Sequence, residues 1–212
     1  MHFTSTDIQN MDRIKRIHLI NSISGIKPAN LIGTISDSGQ TNLAIFSSVV
    51  HLGSDPALFG FIMRPTEEVP RHTYENIMQN GTYTINHVHT SFVEQAHYTS
   101  AKFDVTESEF EACGFTEEFV NGFKAPFVQQ SRLKLGLTHV ESIPIPINGT
   151  LLVIGRADHI YVDDDALSED GQIDLSAIEN AGISGLNRYY ALQKINEFPY
   201  ARRQQVPDFS SK

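Results

Sequence analysis

Residues Gly39 to Asn86 read GQTNLAIFSSVVHLGSDPALFGFIMRPTEEVPRHTYENIMQNGTYTIN. Short polar side chains precede an apolar strand that ends at Arg64, and a helix is predicted to begin around Arg71, His72 and Thr73. Phosphate groups bind to short hydroxyl and amide donors, to guanidinium groups and to the free N–H groups of a helix start. The short donors in this stretch are Thr41, Asn42, Ser47 and Ser48. The stretch therefore predicts a site for a phosphate-bearing ligand.

The composition indicates one ordinary globular domain in an acidic chain. The chain has 212 residues, 40% of them hydrophobic and 19% charged, and a formal net charge of -9. We expect a single domain over residues 1–212, with a core from about 20 to 192 and a tail from 193 to 212. The net charge argues against general nucleic-acid binding, which requires a basic face. An anion must instead be held by a local basic cluster, for which the candidates are Arg64, Arg71, His72 and Lys102.

Nothing in the sequence indicates a membrane or a secreted protein. No segment approaches about 18 consecutive apolar residues, and the N-terminal segment carries charges where a signal peptide has its apolar core. The single cysteine, Cys113, cannot form an internal disulfide or a multi-thiolate metal site, and we interpret it as structural. The expected location is the cytoplasm.

Apolar patterning predicts a mainly β fold with a few peripheral helices. A helix is expected from about Thr73 to Gly81 and a shorter one over Phe92–Thr99. The continuous apolar strand Leu58–Met63 is expected to be buried on both sides. The other predicted strands are Leu31–Ser36, Thr41–Leu52, Thr82–His89, Leu133–Ile145 and Thr150–Val162. Many short strands that do not alternate regularly with helices favour a closed or partly closed β-barrel.

One alternative is a metal site. Gly81, the pair His87 and His89, and Glu94 follow the spacing of the first metal-binding motif of the cupin family. The two histidines would lie on one strand face, as metal ligands in a barrel should. Ala101 stands where that motif has its closing glycine, and the second cupin motif is not visible downstream.

A fuller set of motifs resembles the flavin reductase-like family. The matching segments are Thr41–Ser48, the pair Asp55–Pro56, Arg71–Ile77 and Thr82–Asn86. Ala57 stands where the family often has a second proline. Ser100–Phe103 resembles the family's substrate-side loop, and Gly155–Asp165 resembles its late strand. The resemblance covers residues from about Leu31 to Tyr190.

The resemblance implies an FMN-binding split β-barrel in which the flavin performs the redox chemistry. Ser47 and Ser48 would serve the phosphate or the ribityl chain, and Arg64 would contact either group. Arg71, His72 and Thr73 would hold the phosphate at the helix start. Backbone groups of the predicted strand from Thr41, around Asn42, Leu43 and Ala44, would meet the polar edge of the ring. The expected cofactor-binding set also includes Thr41, Asn76 and Lys102.

The resemblance also implies partners. NADH or NADPH would donate electrons, and a flavin-dependent monooxygenase or another acceptor would receive them. Flavin in such barrels usually binds at a subunit interface, so a homodimer is expected. No general acid or base and no resident metal is assigned. The alternative function is that of an electron carrier resembling flavoredoxin, which holds FMN without reducing it from a nicotinamide nucleotide.

Overall fold

A computed structural model describes residues 1–67 and 69–210 of the chain. Seven strands form the main sheet: β2 (Asn30–Ile35), β3 (Thr41–Phe46), β4 (Val50–Ser54), β5 (Ala57–Met63), β6 (Thr82–His87), β9 (Leu133–Ile145) and β10 (Thr150–Val162). Three more form a small sheet: β1 (Lys27–Pro28), β11 (Ala181–Ser184) and β12 (Arg188–Ala191). A short pair is made by β7 (Glu117–Glu118) and β8 (Phe127–Val128).

Five α-helices lie outside the main sheet. They are α1 (Ser5–Asn10), α2 (Arg13–Ser22), α3 (His72–Asn80), α4 (Val93–Tyr98) and α5 (Glu109–Ala112). Short 3₁₀ turns cover Thr90–Phe92, Asp164–Ala166 and Arg203–Gln205. No helix within the described residues is long and apolar enough to cross a membrane.

The strand order shows that the main sheet is rolled into a barrel. The order is β3-β2-β6-β9-β10-β5-β4, so β3 and β4 occupy opposite edges. In a flat sheet these edges would lie about 29 Å apart, at roughly 4.8 Å per strand. Only residues 47–49 connect them, and three residues span about 10 Å at most. The two edges must therefore approach each other along an open seam, as in a split barrel.

A side chain fastens this seam. The Ser48 hydroxyl accepts a hydrogen bond from the N–H of Ile62 at 3.0 Å and lies 3.3 Å from the Ile62 carbonyl, to which it donates. One hydroxyl thus replaces a strand partner for both backbone groups of Ile62 in β5. This contact also explains a wrong prediction. The predicted strand Thr41–Leu52 is two strands, because the chain leaves the ladder at Ser47 to cross the seam.

Two apolar clusters pack on opposite faces of the sheet because side chains alternate along each strand. On β2, Leu31 belongs to a cluster that includes Val88, Phe110 and residues of β8 and β11, whereas Ile32 belongs to the barrel interior. The interior cluster consists of Ile32, Phe61, Met63, Ile77, Tyr83, Ile85, Leu135, Leu137 and Val153. Strand β5 contributes alternate residues to it. The prediction that β5 is buried on both sides is wrong for the single chain, since Ile62 is only half-buried.

Helix α3 covers one end of the barrel, as predicted from its sequence. It buries Thr73, Asn76 and Ile77, and the Asn76 amide donates to the Thr34 hydroxyl on β2 at 3.1 Å. It ends at Gly81, whose φ of 69° is the left-handed conformation that glycine adopts readily. These contacts fix the direction of the helix and hence the place of its first turn.

Helix α5 is attached to β3 through a buried carboxylate. The N–H of Leu43 donates to Glu109 Oε2 at 2.9 Å, and Glu109 is 6% exposed. Burial raises the pKa of the Glu109 carboxyl, against the opposing effects of the Leu43 hydrogen bond and of the nearby His72 charge. Between residues 107 and 123, the regular structure consists of this short helix and the two-residue strand β7.

Replacing the seam serine tests its contribution to stability. We expect Ser48→Ala to lower the free energy of unfolding by about 1–3 kcal/mol, because two backbone groups of Ile62 lose their partner. The adjacent substitution Ser47→Ala is the matched control and should change stability by less than about 0.5 kcal/mol. Urea denaturation followed by circular dichroism measures both. Equal effects would show that the seam is held by other contacts.

The raised pKa of Glu109 predicts a pH dependence of stability. The folded chain retains this proton to a higher pH than the unfolded chain, so stability falls as pH rises from the ordinary Glu pKa through the raised value. Glu109→Gln keeps an acceptor for the Leu43 N–H and lacks the proton. Its stability relative to the unmodified protein should therefore increase over this pH interval.

Urea midpoints at fixed protein concentration, from about pH 4 to pH 8, give the comparison. Glu111→Gln, on an exposed residue of the same helix, is the control and should show no such trend. If the difference in stability between Glu109→Gln and the unmodified protein does not change with pH, the raised pKa that we assign to Glu109 is wrong.

Candidate functional site

Three hydrogen bonds bring separate parts of the Gly39–Asn86 stretch onto one surface. Asn42 on β3 donates its amide to the Thr73 hydroxyl in the first turn of α3, at 3.1 Å. Ser48 fastens the seam loop to β5, as described above. Arg71 Nε donates to the carbonyl of Pro65, in the segment that follows β5, at 3.2 Å. The end of β3, the seam loop, the end of β5 and the start of α3 are therefore neighbours.

The start of α3 has backbone donors without an intrahelical partner. Its N-cap residue is Arg71, whose side chain makes no capping hydrogen bond within the described residues. The first helical backbone bond runs from the N–H of Glu75 to the Arg71 carbonyl at 2.9 Å, which leaves the earlier N–H groups without an intrahelical acceptor. Thr73 lies inside the helix, and its hydroxyl accepts from Asn42. The helix start thus presents donors and the positive end of its dipole.

Cationic side chains lie around this helix start. Arg64 follows β5 directly and is exposed, and Arg71 and His72 are half-buried at the first turn. Lys102 lies in an exposed loop after α4. The Asp104 carboxyl in this loop has a lowered pKa, chiefly through hydrogen bonds from Thr106 and in smaller part through its electrostatic interaction with His72 of α3.

Six of the predicted cofactor-binding residues already have partners within the protein. Thr41 contacts Ser108 and Glu117, and the bonds of Asn42, Leu43, Ser48, Thr73 and Asn76 are given above. These residues hold the walls of the site together. Ala44 has no polar side chain. The remaining five residues have side chains that make no hydrogen bond to the described residues, or a single one in the case of Arg71: Ser47, Arg64, Arg71, His72 and Lys102.

Strand β3 offers its backbone because it is an edge strand. The Leu43 N–H points away from β2, since it bonds to Glu109. Backbone groups alternate in direction along a strand, so those of Ile45 also point outward and those of Ala44 point toward β2. Ile45 therefore joins Leu43 as an outward-facing backbone position, and Ala44 is less suited to the role expected from the resemblance.

Sequence reasoning missed two side chains that build the site. Glu109 occupies the outward N–H of Leu43, and Thr34 anchors Asn76. Neither role could be predicted from the sequence. A glutamate between Ser108 and Phe110 is expected at the surface, and a threonine in a strand is too common to indicate a special contact. Their roles follow from pairings across 66 and 42 residues of chain.

Two cavities lie away from the predicted residues. One cavity of about 380 Å³ is lined by His89, Ser91, Phe92, Gln95, Phe115, Gln130 and Arg132. A second, of about 490 Å³, lies between residues 165–176 and 192–197. Neither of these two cavities includes any of the twelve predicted cofactor-binding residues.

The side chains of the metal alternative are not brought together in the described residues. His87 is partly buried, its Nδ1 lies 2.9 Å from the Asn180 amide nitrogen, and burial lowers its pKa to about 4. His89 is held by Ser91 and faces Glu179 at 3.6 Å, while Glu94 is exposed on α4. Across residues 1–67 and 69–210, no three histidine, cysteine or acidic side chains are placed to share a metal ion.

Comparison with known proteins agrees with this geometry. The family model of the flavin reductase like domain matches residues 26–177. The uncharacterized protein BH2278 of Halalkalibacterium halodurans is 30% identical over 168 residues, which cover 77% of this chain and 80% of that protein.

Solved structures share the fold. A Shewanella frigidimarina protein, named for its split barrel domain and an inferred flavin reductase activity, is 54% identical, with a TM-score of 0.91 over 95% of this chain and 100% of that chain. Nitrilotriacetate monooxygenase component B from Bacillus cereus is 17% identical, with a TM-score of 0.82 over 93% and 98%. Flavoredoxin of Desulfovibrio vulgaris is 21% identical, with a TM-score of 0.71 over 83% and 92%.

The predicted fold class and family resemblance are thus confirmed. The chain belongs to the flavin reductase-like family, and it is a flavin-binding oxidoreductase with a split-barrel fold.

Proposed function

We propose that this protein binds FMN and works as an NAD(P)H-dependent flavin reductase in the cytoplasm. The observation that carries the proposal is the uncapped start of α3, with Arg71 and His72 at its first turn and Arg64 beside it. In a chain of net charge -9, such a concentration of donors and cations favours an anionic ligand. FMN has the phosphate that this arrangement fits, and riboflavin does not.

The residues of the surface suit different parts of the cofactor. The N–H groups at the start of α3 and the Arg71 guanidinium would hold the phosphate. The Ser47 hydroxyl, next to the seam, suits the ribityl chain or the phosphate. The outward backbone groups of Ile45 on the edge of β3 suit the polar edge of the ring, whereas the outward N–H of Leu43 is already bonded to Glu109. When bound, FMN would supply the redox chemistry by accepting a hydride from a nicotinamide nucleotide and passing electrons to an acceptor.

Acidic neighbours limit where the phosphate fits. The carboxyl groups of Asp104 and Glu109 interact electrostatically with His72. A phosphate placed beside them would be repelled, whereas one placed between the helix start, Arg64 and Arg71 would not. Arg71 is therefore the principal phosphate contact in our proposal, with His72 in a lesser role.

We also propose that the protein is a homodimer. In β5 and β10, Phe61 and Val153 point into the barrel, so Ile62 and Leu152 point outward. Ile143 on β9 pairs with Leu152 and extends this outer row. On a sheet face that is in contact with water, polar side chains are expected rather than a row of aliphatic ones.

The exposed fractions support this face as an interface. On the edge strand β4, Val50 is 47% and Leu52 is 43% exposed, and on β9 Ile143 is 40% exposed. These aliphatic side chains lie on adjacent strands in the order β9-β10-β5-β4. A contiguous apolar patch of this kind is typical of a protein interface. A second copy here would lie next to the seam and could add a wall to the site.

The phosphate role of Arg71 can be tested with two flavins. Arg71→Ala should weaken FMN binding about ten- to a hundredfold, because a charge-assisted contact of about 1.5–3 kcal/mol is lost. Riboflavin binding should change much less, since it lacks the phosphate. Equilibrium titration followed by flavin fluorescence measures both.

Arg188→Ala is the matched control, because Arg188 is an exposed arginine on β12, outside the candidate site. It should leave both affinities unchanged. Equal losses of FMN and riboflavin affinity in Arg71→Ala would remove the role that we give Arg71.

Rapid mixing separates a reductase from a carrier. The flavin-loaded protein, mixed with NADH or with NADPH, should lose its flavin absorbance rapidly and with saturation in one of the two nucleotides. Dithionite provides the fully reduced reference. If neither nucleotide bleaches the flavin while dithionite does, the protein is an FMN-holding electron carrier, and the proposed reductase activity is wrong.

A further inference from the structure

The C-terminal tail, residues 193–210, exposes an unusual amount of apolar surface. It follows β12 and contains only a 3₁₀ turn at Arg203–Gln205. Its five large apolar side chains are Ile195, Phe198, Tyr200, Val206 and Phe209, with exposed fractions of 97%, 79%, 86%, 63% and 65%. Single exposed apolar residues are common, but five within 15 positions indicate a surface that is covered by something.

The tail is attached to its own chain only at its root. The Lys194 N–H donates to the Ser176 hydroxyl at 2.9 Å, and Lys194 pairs with Glu197 along the tail. Within the described part of the chain, no hydrogen bond or ion pair joins residues 198–210 to the rest of the protein. Residues 198–210 are therefore not held to the described part of their own chain by polar contacts.

The charge of the tail is opposite to that of the remaining chain. Residues 193–212 contain four basic and two acidic residues, a net charge of +2, so residues 1–192 carry -11. The acidic residues are densest in 163–179, where seven carboxylates occur without a lysine or arginine. Arg202 and Arg203 make no ion pair with any described residue. The tail is thus complementary in charge to the body of this same protein.

We propose that the tail of each chain docks on the body of a second copy, with Phe198 and Tyr200 as apolar anchors and Arg202 and Arg203 facing acidic residues. This inference rests on the proposed homodimer and adds an exchanged arm to it. An apolar and basic tail could also lie on an anionic membrane. Membrane binding is disfavoured because residues 1–192, with a net charge of -11, would be repelled by the anionic membrane surface.

Site-specific cross-linking tests the exchange. In a Cys113→Ser background, Phe198→Cys is labelled with a benzophenone maleimide and irradiated at low micromolar concentration. We expect a product of twice the 23.7 kDa chain mass, in which peptide mapping joins position 198 to residues 1–192 of the other copy. Arg202→Glu with Arg203→Glu should lower the yield about threefold or more, because like charges then meet.

Lys124→Glu with Arg188→Glu is the matched control, because it changes the net charge equally at exposed positions outside the tail. It should leave the yield unchanged. A product of single-chain mass would show that the tail folds back on its own body. A product joining two tails, or no protein cross-link, would equally overturn the proposal.

Two further measurements on the same labelled protein show whether the proposed tail docking or the proposed homodimer is at fault if no intersubunit cross-link forms. Sedimentation velocity reports the oligomeric state, and titration with FMN reports the cofactor site. A dimer that binds FMN but gives no intersubunit cross-link would contradict the exchanged tail alone. A monomer would contradict both the tail and the homodimer. Binding to phosphatidylserine vesicles that is lost when residues 193–212 are removed would assign the tail to membranes instead.

Discussion

The hydroxyl of Ser48 closes the seam of the barrel, and the rest of the structure depends on this closure. It pairs with both backbone groups of Ile62 at the point where the chain crosses from one sheet edge to the other. Without a partner there, β5 would expose unpaired backbone groups beside the open edge of β3. The seam brings the ends of β3 and β5 together, and every element of the candidate site is attached to one of these strands.

A second set of contacts holds α3 on β2 and β3. Asn42 on β3 and Thr34 on β2 hold Thr73 and Asn76, so the first turn of the helix cannot move away from the sheet. Because the four side chains are buried, losing one partner would leave a polar group unsatisfied. The free N–H groups of the helix start are thus fixed in place before any ligand arrives, which lowers the cost of ordering them on binding.

Local patterns predicted much of this fold. The apolar runs gave most of the strands, and the polar start and Gly81 stop of α3 were recognisable because capping and termination are local effects. The break of Thr41–Leu52 into two strands was not predictable, because it depends on a contact between Ser48 and a residue 14 positions later. The seam and the strand order likewise arise from distant pairings.

The candidate site shows the same division. Residues with charged or hydroxyl side chains near a helix start, such as Arg71 and Ser47, could be named from the sequence. Their separation into wall residues and free donors could not, since Thr41, Asn42 and Leu43 are occupied by partners from residues 73–117. Ala44 was named because the motif includes it, but the direction of its backbone groups depends on pairing with β2.

The central claim is that the start of α3 receives the phosphate of FMN. The most direct measurement follows the backbone amide signals of His72, Thr73 and Tyr74 by ¹⁵N NMR during titration with FMN and, separately, with riboflavin. Our account predicts large shifts of these three amides with FMN, and small shifts with riboflavin at equal occupancy. Amides that respond alike to the two flavins, or to neither while the flavin binds, would contradict it.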